Sequence, residues 1–194
     1  NKYTKGHCQV NYLAYLCIRN IKTMKNLLII LTILISSVVY GISPSEKVDV
    51  NNIDVEYLEG LVFEKINEYR LSKGLNILEL NESEINYSRK HSEKMVAEDG
   101  RLFHEHSSLG QPTDSVKIAV ENVDGSIVSP IVIINYTELS NKIVQSWVKS
   151  PGHNKNLLNS KLTIGEIGLS YIIGEYVGVD GICRVYTTYK GWGY

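Results

Sequence analysis

In the stretch Trp147-Val148-Lys149-Ser150-Pro151-Gly152-His153-Asn154-Lys155-Asn156-Leu157-Leu158, a helix carrying Trp147 on its apolar face meets Pro151 and has to stop. Proline pushes the residue before it out of helical geometry, and Gly152 supplies a flexible joint. His153 then stands at the start of a new short helical turn, where a side chain can face a cleft. Taken alone, the same residues also describe a helix break with an idle surface histidine. What separates the two readings lies upstream.

Four histidines fall after residue 41: His91, His104, His106 and His153. Their spacing fits no local zinc motif, such as two histidines four apart on one helix with an intervening glutamate. His104 and His106 are two apart, so an extended segment would put both side chains on one side. The chain has no Gly-x-Ser-x-Gly elbow, phosphate-binding glycine loop or dinucleotide fingerprint. Any site must therefore be assembled from distant segments.

Those segments read as helices first and strands last. Leu58, Leu61, Val62, Ile66 and Tyr69 give Val55 to Lys73 the spacing of an amphipathic helix. Asn81 with Glu84 predicts a capping-box start for a second helix reaching Asp99, with Ile85, Ser88, His91 or Ser92, and Met95 inward. Val116 to Val120 is β-prone and leads into Glu121-Asn122-Val123, and Asp124-Gly125 is a turn signal. Ile127 to Ile134 fits either a strand or a buried loop. Thr137 or Ser140 can cap a third helix with Ile143, Val144, Trp147 and Val148 inward. Three β-like segments follow, at 164–173, 176–179 and 182–189, with turns at Gly174 and Asp180-Gly181. The order implies an α+β domain with a mostly antiparallel sheet. Residues 191–194 read as a loose tail.

The front end differs from the rest. Residues 1–41 carry five basic groups and no acid, leaving 15 basic and 21 acidic groups, a net of −6, in the remaining 153 residues. A mildly acidic domain without a basic cluster is a poor nucleic-acid binder. Residues 24–41 read as a signal peptide: Met24-Lys25-Asn26 is a short positive start, Leu27 to Ile35 an apolar run, and Val39-Tyr40-Gly41 a cleavage site. The apolar run is shorter than the roughly 20 residues that span a bilayer. A cleaved leader implies export, to the extracellular space or a periplasm, and no stable membrane span afterwards. Residues 1–23 are expected to be a disordered upstream extension, 42–54 a linker, and 55–190 the domain, a monomer. Cys183 is then the one cysteine left, too few for a disulfide scaffold. It sits in a strand-like run as a small hydrophobe.

Taken together, residues 58–189 resemble the CAP superfamily (SCP/TAPS, the pathogenesis-related 1 and cysteine-rich secretory protein fold) in its short bacterial form. The resemblance rests on an ordered series: Ile66-Asn67-Glu68-Tyr69-Arg70 followed by Gly74-Leu75; His91-Ser92-x-x-Met95; Gly100-x-Leu102-x-His104; Glu121-Asn122-Val123; Trp147-x-x-Ser150-Pro151-Gly152-His153-Asn154; and Ile167-Gly168-Leu169. It implies an α-β-α sandwich with a central cleft lined by histidines and acids. His104 matches the first histidine, with His106 the alternative; Glu121 matches the first glutamate and His153 the second histidine. The place of the second glutamate is taken by Ser150, leaving three of four cleft groups. The resemblance implies a cleft that binds a small ligand, lipid, peptide or divalent metal such as zinc, the metal through His104 and His153. Two other readings use the same residues. One is a metal-dependent hydrolase in which Glu121 and His153 work on a bound water. The other is an extracellular interaction domain whose polar cluster is structural. Fold alone does not choose among them.

Overall fold

In a computed structural model that describes residues 43–176 and 178–194, Pro44–Tyr194 forms one compact unit. The expected extension and leader, residues 1–41, lie outside the described residues. Helix α1 (Val55–Ser72) starts where the Asp54 carboxylate accepts the Tyr57 N–H. Its stripe of Leu58, Val62 and Ile66 is fully buried, as are Leu139, Ile143 and Trp147 of helix α3 (Tyr136–Lys149), against which α1 packs. Each such side chain contributes roughly 1.5–3 kcal/mol by leaving water. Helix α4 (Pro151–Leu157) follows α3 directly. Ser150 is the joint, with an extended backbone, and Pro151 opens α4 where its missing N–H has no partner to lose.

Helix α2 (Tyr87–Ala97) is shorter than the predicted 81–99. Asn81 does not cap it. Its N–H donates to Gly165 O, continuing the parallel pairing of strand β1 (Glu79–Leu80) with β3 (Ile164–Tyr176). Its side-chain amide donates to Glu166. The chain at Asn81 is thus held extended, and Asn86 becomes the cap through the Arg89 N–H. Similarly, α3 is capped by Asn135 in a capping box with Glu138, not by Thr137 or Ser140. The Thr137 hydroxyl instead donates to Pro44 O. The polar stretch expected as a linker is stitched down at that corner, where Val48 N–H donates to Ile134 O.

The sheet of the described residues runs β1-β3-β4-β2, with β2 (Ile118–Val128) and β4 (Val179–Gly193) completing it. The β2/β4 and β3/β4 pairs are antiparallel. Two expected turns are strand instead. Asp124-Gly125 lies within β2, paired with Thr187 and Tyr186, because the Asp124 carboxylate accepts from the Ser126 and Ser146 hydroxyls and not from a turn. The three late segments are one hairpin: Gly174 and Asp180-Gly181 sit inside paired strands, and Tyr176 pairs with Val179. Residues 191–193 are no tail. Trp192 is fully buried, its indole N–H donates to Ser107 O, and Thr163 N–H donates to its carbonyl.

Strand alternation sorts the layers. Tyr186 and Thr188 of β4 and Val123 of β2 face α2, where Met95, Val123 and Tyr186 cluster. Tyr189, on the opposite parity, meets Trp147 of α3. One helix on one face and three on the other make an α-β-α sandwich. Gly168 lets α2 come this close, since a Cβ there would lie 1.7 Å from Arg89 N.

Side chains engage backbone groups along both outer edges of the sheet. Along β2 the carbonyls of Ala119, Glu121, Val123 and Ile127 accept from Ser107, Asn156, Trp147 and Lys142. Along β3, Ile167 O accepts from Asn86, and Leu169 N–H donates to Glu59, which is gripped by Arg89 at 2.6 and 2.9 Å.

Candidate functional site

The edge of β2 is where distant segments converge. Glu121 points to the α2 side, and its side chain is only 3% exposed. Its Oε1 lies 3.0 Å from His104 Nδ1 and accepts the Glu105 N–H at 2.9 Å. His104 comes from the loop that Asp99 and Gly100 release from α2, both in left-handed backbone. That loop is tied down by Tyr186, whose hydroxyl donates to Gly100 O. His104 is itself half exposed, so Glu121 holds one imidazole nitrogen and leaves the other facing outward.

His153 arrives from the other side of the strand. Its backbone carbonyl accepts from the Asn122 amide at 3.1 Å, and Asn156 donates to Asn122 Oδ1 and to Glu121 O. From behind, α1 fixes α4: the Tyr69 hydroxyl donates to Asn154 Oδ1, and the fully buried Arg70 guanidinium donates to Leu157 O and Asn159 O. The His104 and His153 ring centroids end 6.0 Å apart. Burial pushes the His153 pKa down, and the nearby His104 adds to this, so the ring is neutral at pH 7.

The structure thus brings His104, Glu121 and His153 together. His106 is turned elsewhere, with its Nδ1 2.5 Å from the Ser108 hydroxyl. Ser150 makes no side-chain capping bond and serves as the joint between α3 and α4.

Three groups in this neighbourhood are absent from the sequence-level set. Lys190 is fully buried and pairs across the ladder with Glu121; its Nζ lies 3.4 Å from Glu121 Oε2. His91 Nδ1 is 3.6 Å from the same oxygen and 3.3 Å from the Thr188 hydroxyl. Asp124, on the α3–α4 side, is raised in pKa by burial, despite its two serine donors, and it opposes the depression at His153. Only the strand register reveals the Lys190–Glu121 pair. An alternation signal does exist, since Tyr186, Thr188, Lys190 and Trp192 share one inward parity.

His91 carries a pH prediction. Burial lowers its folded pKa below the ordinary imidazole value of about 6.5. As pH falls through about 6.5 the unfolded chain takes up a proton that the folded chain refuses, so stability drops with acidification. Melting temperature should therefore decline from pH 7.5 to 5.5, and His91→Gln should flatten that slope. An unchanged slope would show that His91 takes its proton as readily in the folded protein.

The family model of the cysteine-rich secretory protein family, CAP, matches residues 63–177. The Bacillus subtilis (strain 168) protein YkwD, described as uncharacterized, is 30% identical over 126 residues, covering 61% of this chain and 44% of that protein. The chain therefore spans less than half the length of that relative. Among solved structures, an outer surface protein from Borrelia burgdorferi superposes with a TM-score of 0.50 at 17% identity, over 77% of this chain and 99% of that one. An extracellular protein containing a SCP domain from Bacillus anthracis str. Ames has a TM-score of 0.48 at 19% identity, over 72% of this chain and 41% of that one.

Proposed function

Since the chain belongs to the cysteine-rich secretory protein (CAP) family, we propose that it is an exported binding domain that holds a small ligand between His104 and His153. The observation that carries this reading is the direction of Glu121. Its carboxylate is buried, one oxygen spent on His104 and the Glu105 N–H, the other facing Lys190 and His91. A carboxylate so enclosed orients an imidazole; it does not reach a substrate water. The chemistry offered to a ligand is a pair of imidazoles whose ring centroids lie 6.0 Å apart.

Zinc is the simplest probe of such a pair. Two imidazoles are fewer than the three protein ligands of catalytic zinc centres or the four of structural ones. Glu121 is turned away, and Asp124 is engaged by Ser126 and Ser146. No group of three or more metal-ligating side chains is assembled among the described residues. The donor set therefore fits a weakly held ion completed by water, and not a tight metal centre.

Calorimetric titration with zinc chloride tests the reading. Wild type should bind weakly, and His104→Ala or His153→Ala should each weaken binding beyond the roughly 10–100-fold that loss of a supporting hydrogen bond costs. His106→Ala should leave it unchanged. Equal heats from all four proteins would sink the proposal. Export is supported by the leader-like residues 24–41 and would be checked by sequencing the amino terminus of the protein recovered from culture medium.

A further inference from the structure

The loop that delivers His104 does not end at the cleft. It runs on across the sheet, tied to one strand after another. The Glu105 N–H donates to Glu121 of β2, and the carbonyls of His106 and Ser107 accept from Lys190 and Trp192 of β4. Gly110 O then accepts from the side-chain amide of Asn81, the residue that follows β1. Gly110 has a φ of 78° and lies so close to Tyr87, the first residue of α2, that an added Cβ would meet a Tyr87 ring carbon at 2.6 Å. Here the far end of the loop and the start of α2 border a pocket of about 520 Å³. That is within the roughly 300–1,000 Å³ of small-molecule sites. It sits by β1, at the opposite edge of the sheet from the cleft.

The walls state what the pocket can take. They hold no Asp, Glu, Lys, Arg or His, although Glu79, Glu82 and Glu84 are sequence neighbours. Lys90, whose ammonium lies 5.6 Å from the Tyr87 ring centroid, does not line it. A charged ligand would shed its water there without meeting an opposite charge. An apolar ligand fails for the converse reason, because it would strand the polar groups of the walls. Those groups are already oriented. Asn81 Nδ2 donates to Gly110 O at 3.4 Å and to Glu166 at 2.9 Å, which leaves Oδ1 as a fixed acceptor. Glu166 is 2% exposed and is itself held by the Ser88 N–H. The Ser108 N–H donates to His106 Nδ1, so the Ser108 hydroxyl donates to that nitrogen too and its oxygen remains an acceptor. The Gln111 amide and the Tyr87 hydroxyl have no hydrogen-bond partner among the described residues, and each can donate and accept. Pro112 and the Tyr87 ring add apolar surface.

We propose that this pocket is a second ligand site, separate from the imidazole cleft, and that it takes a neutral saccharide. Sugar hydroxyls donate and accept at once, which suits two fixed acceptors beside two groups that work in either direction. The C–H faces of a sugar ring suit the Pro112 and Tyr87 surfaces. Because the loop is held along its length before any ligand arrives, binding has little chain to order.

Amide NMR of the full chain, titrated separately with maltotriose, cellotriose and chitotriose, tests the proposal. At least one of the three should shift the Gly110 and Gln111 amides and saturate in the millimolar range, while the Asn154 amide beside the cleft stays in place. Gln111→Ala removes an amide that holds nothing in the fold. It should weaken the sugar about fivefold, as the loss of one hydrogen bond does, and leave the rest of the spectrum unchanged. His104→Ala should bind the sugar like wild type, so failure of the imidazole cleft as a ligand site would leave this result standing. Three results would overturn the proposal. One is no shift with any of the three sugars up to about 20 mM, where even a millimolar site would be filled. The second is unchanged affinity in Gln111→Ala. The third is loss of binding in His104→Ala, which would place the sugar in the cleft.

Discussion

Gly168→Ala is expected to abolish cooperative folding. The added methyl would sit 1.7 Å from Arg89 N and 2.0 Å from the Ser88 carbonyl carbon, atoms of the α2 backbone that no rotamer change can move. Relief requires α2 to back away from β3. That would break the Ser92 hydroxyl to Gly168 O bond at 2.8 Å and the Ser88 N–H to Glu166 bond at 2.7 Å. The loss should exceed about 4 kcal/mol, the range reached only when a packed contact of this kind is broken. Gly174→Ala on the same strand is the control. Nothing lies within 4 Å of its added Cβ, and a change within about 1 kcal/mol is expected. Denaturant unfolding of the two variants gives the answer. A Gly168→Ala protein melting within a few degrees of wild type would mean that helix and strand can part without cost.

The second large effect concerns Glu121. Glu121→Leu strips the carboxylate from beside the fully buried Lys190 and should cost about 3–5 kcal/mol, and Lys190→Met alone should cost a similar amount. The double variant should recover most of the loss, because an apolar pair of similar volume leaves no uncompensated buried charge. Recovery of stability should not restore zinc binding, since His104 would still lack the oxygen that holds its Nδ1. That split distinguishes a ligand cleft from a purely structural cluster. A double variant that is stable and binds zinc like wild type would leave Glu121 with a structural role only.

Much of this architecture is legible in the residues. Helices α1 and α3 carry their apolar stripes in their own spacing, and Ser150-Pro151 marks the joint by proline geometry. His104, Glu121 and His153 come together where their ordered resemblance places them. What is not legible depends on contacts across the fold. Asn81 looks like a cap until β3 claims its N–H, and Asp124-Gly125 looks like a turn until Ser146 of α3 donates to the carboxylate. Gly191-Trp192-Gly193-Tyr194 resembles a tail because glycines flank the tryptophan. Those glycines instead clear room, at Gly193 for Lys161 O, which would lie 1.9 Å from an added Cβ. Lys190 could be read from alternation as inward, but its partner follows only from register.

The covered rims of the sheet restrict how other chains can approach. A strand joins a sheet by pairing with free carbonyls and N–H groups on its outermost strand. On β2 four of those carbonyls are held by Ser107, Asn156, Trp147 and Lys142, and on β3 Ile167 O and the Leu169 N–H are held by Asn86 and Glu59. A peptide arriving there as a fifth strand would have to displace these side chains first. The same rims leave copies of the protein fewer free groups on which to stack edge to edge.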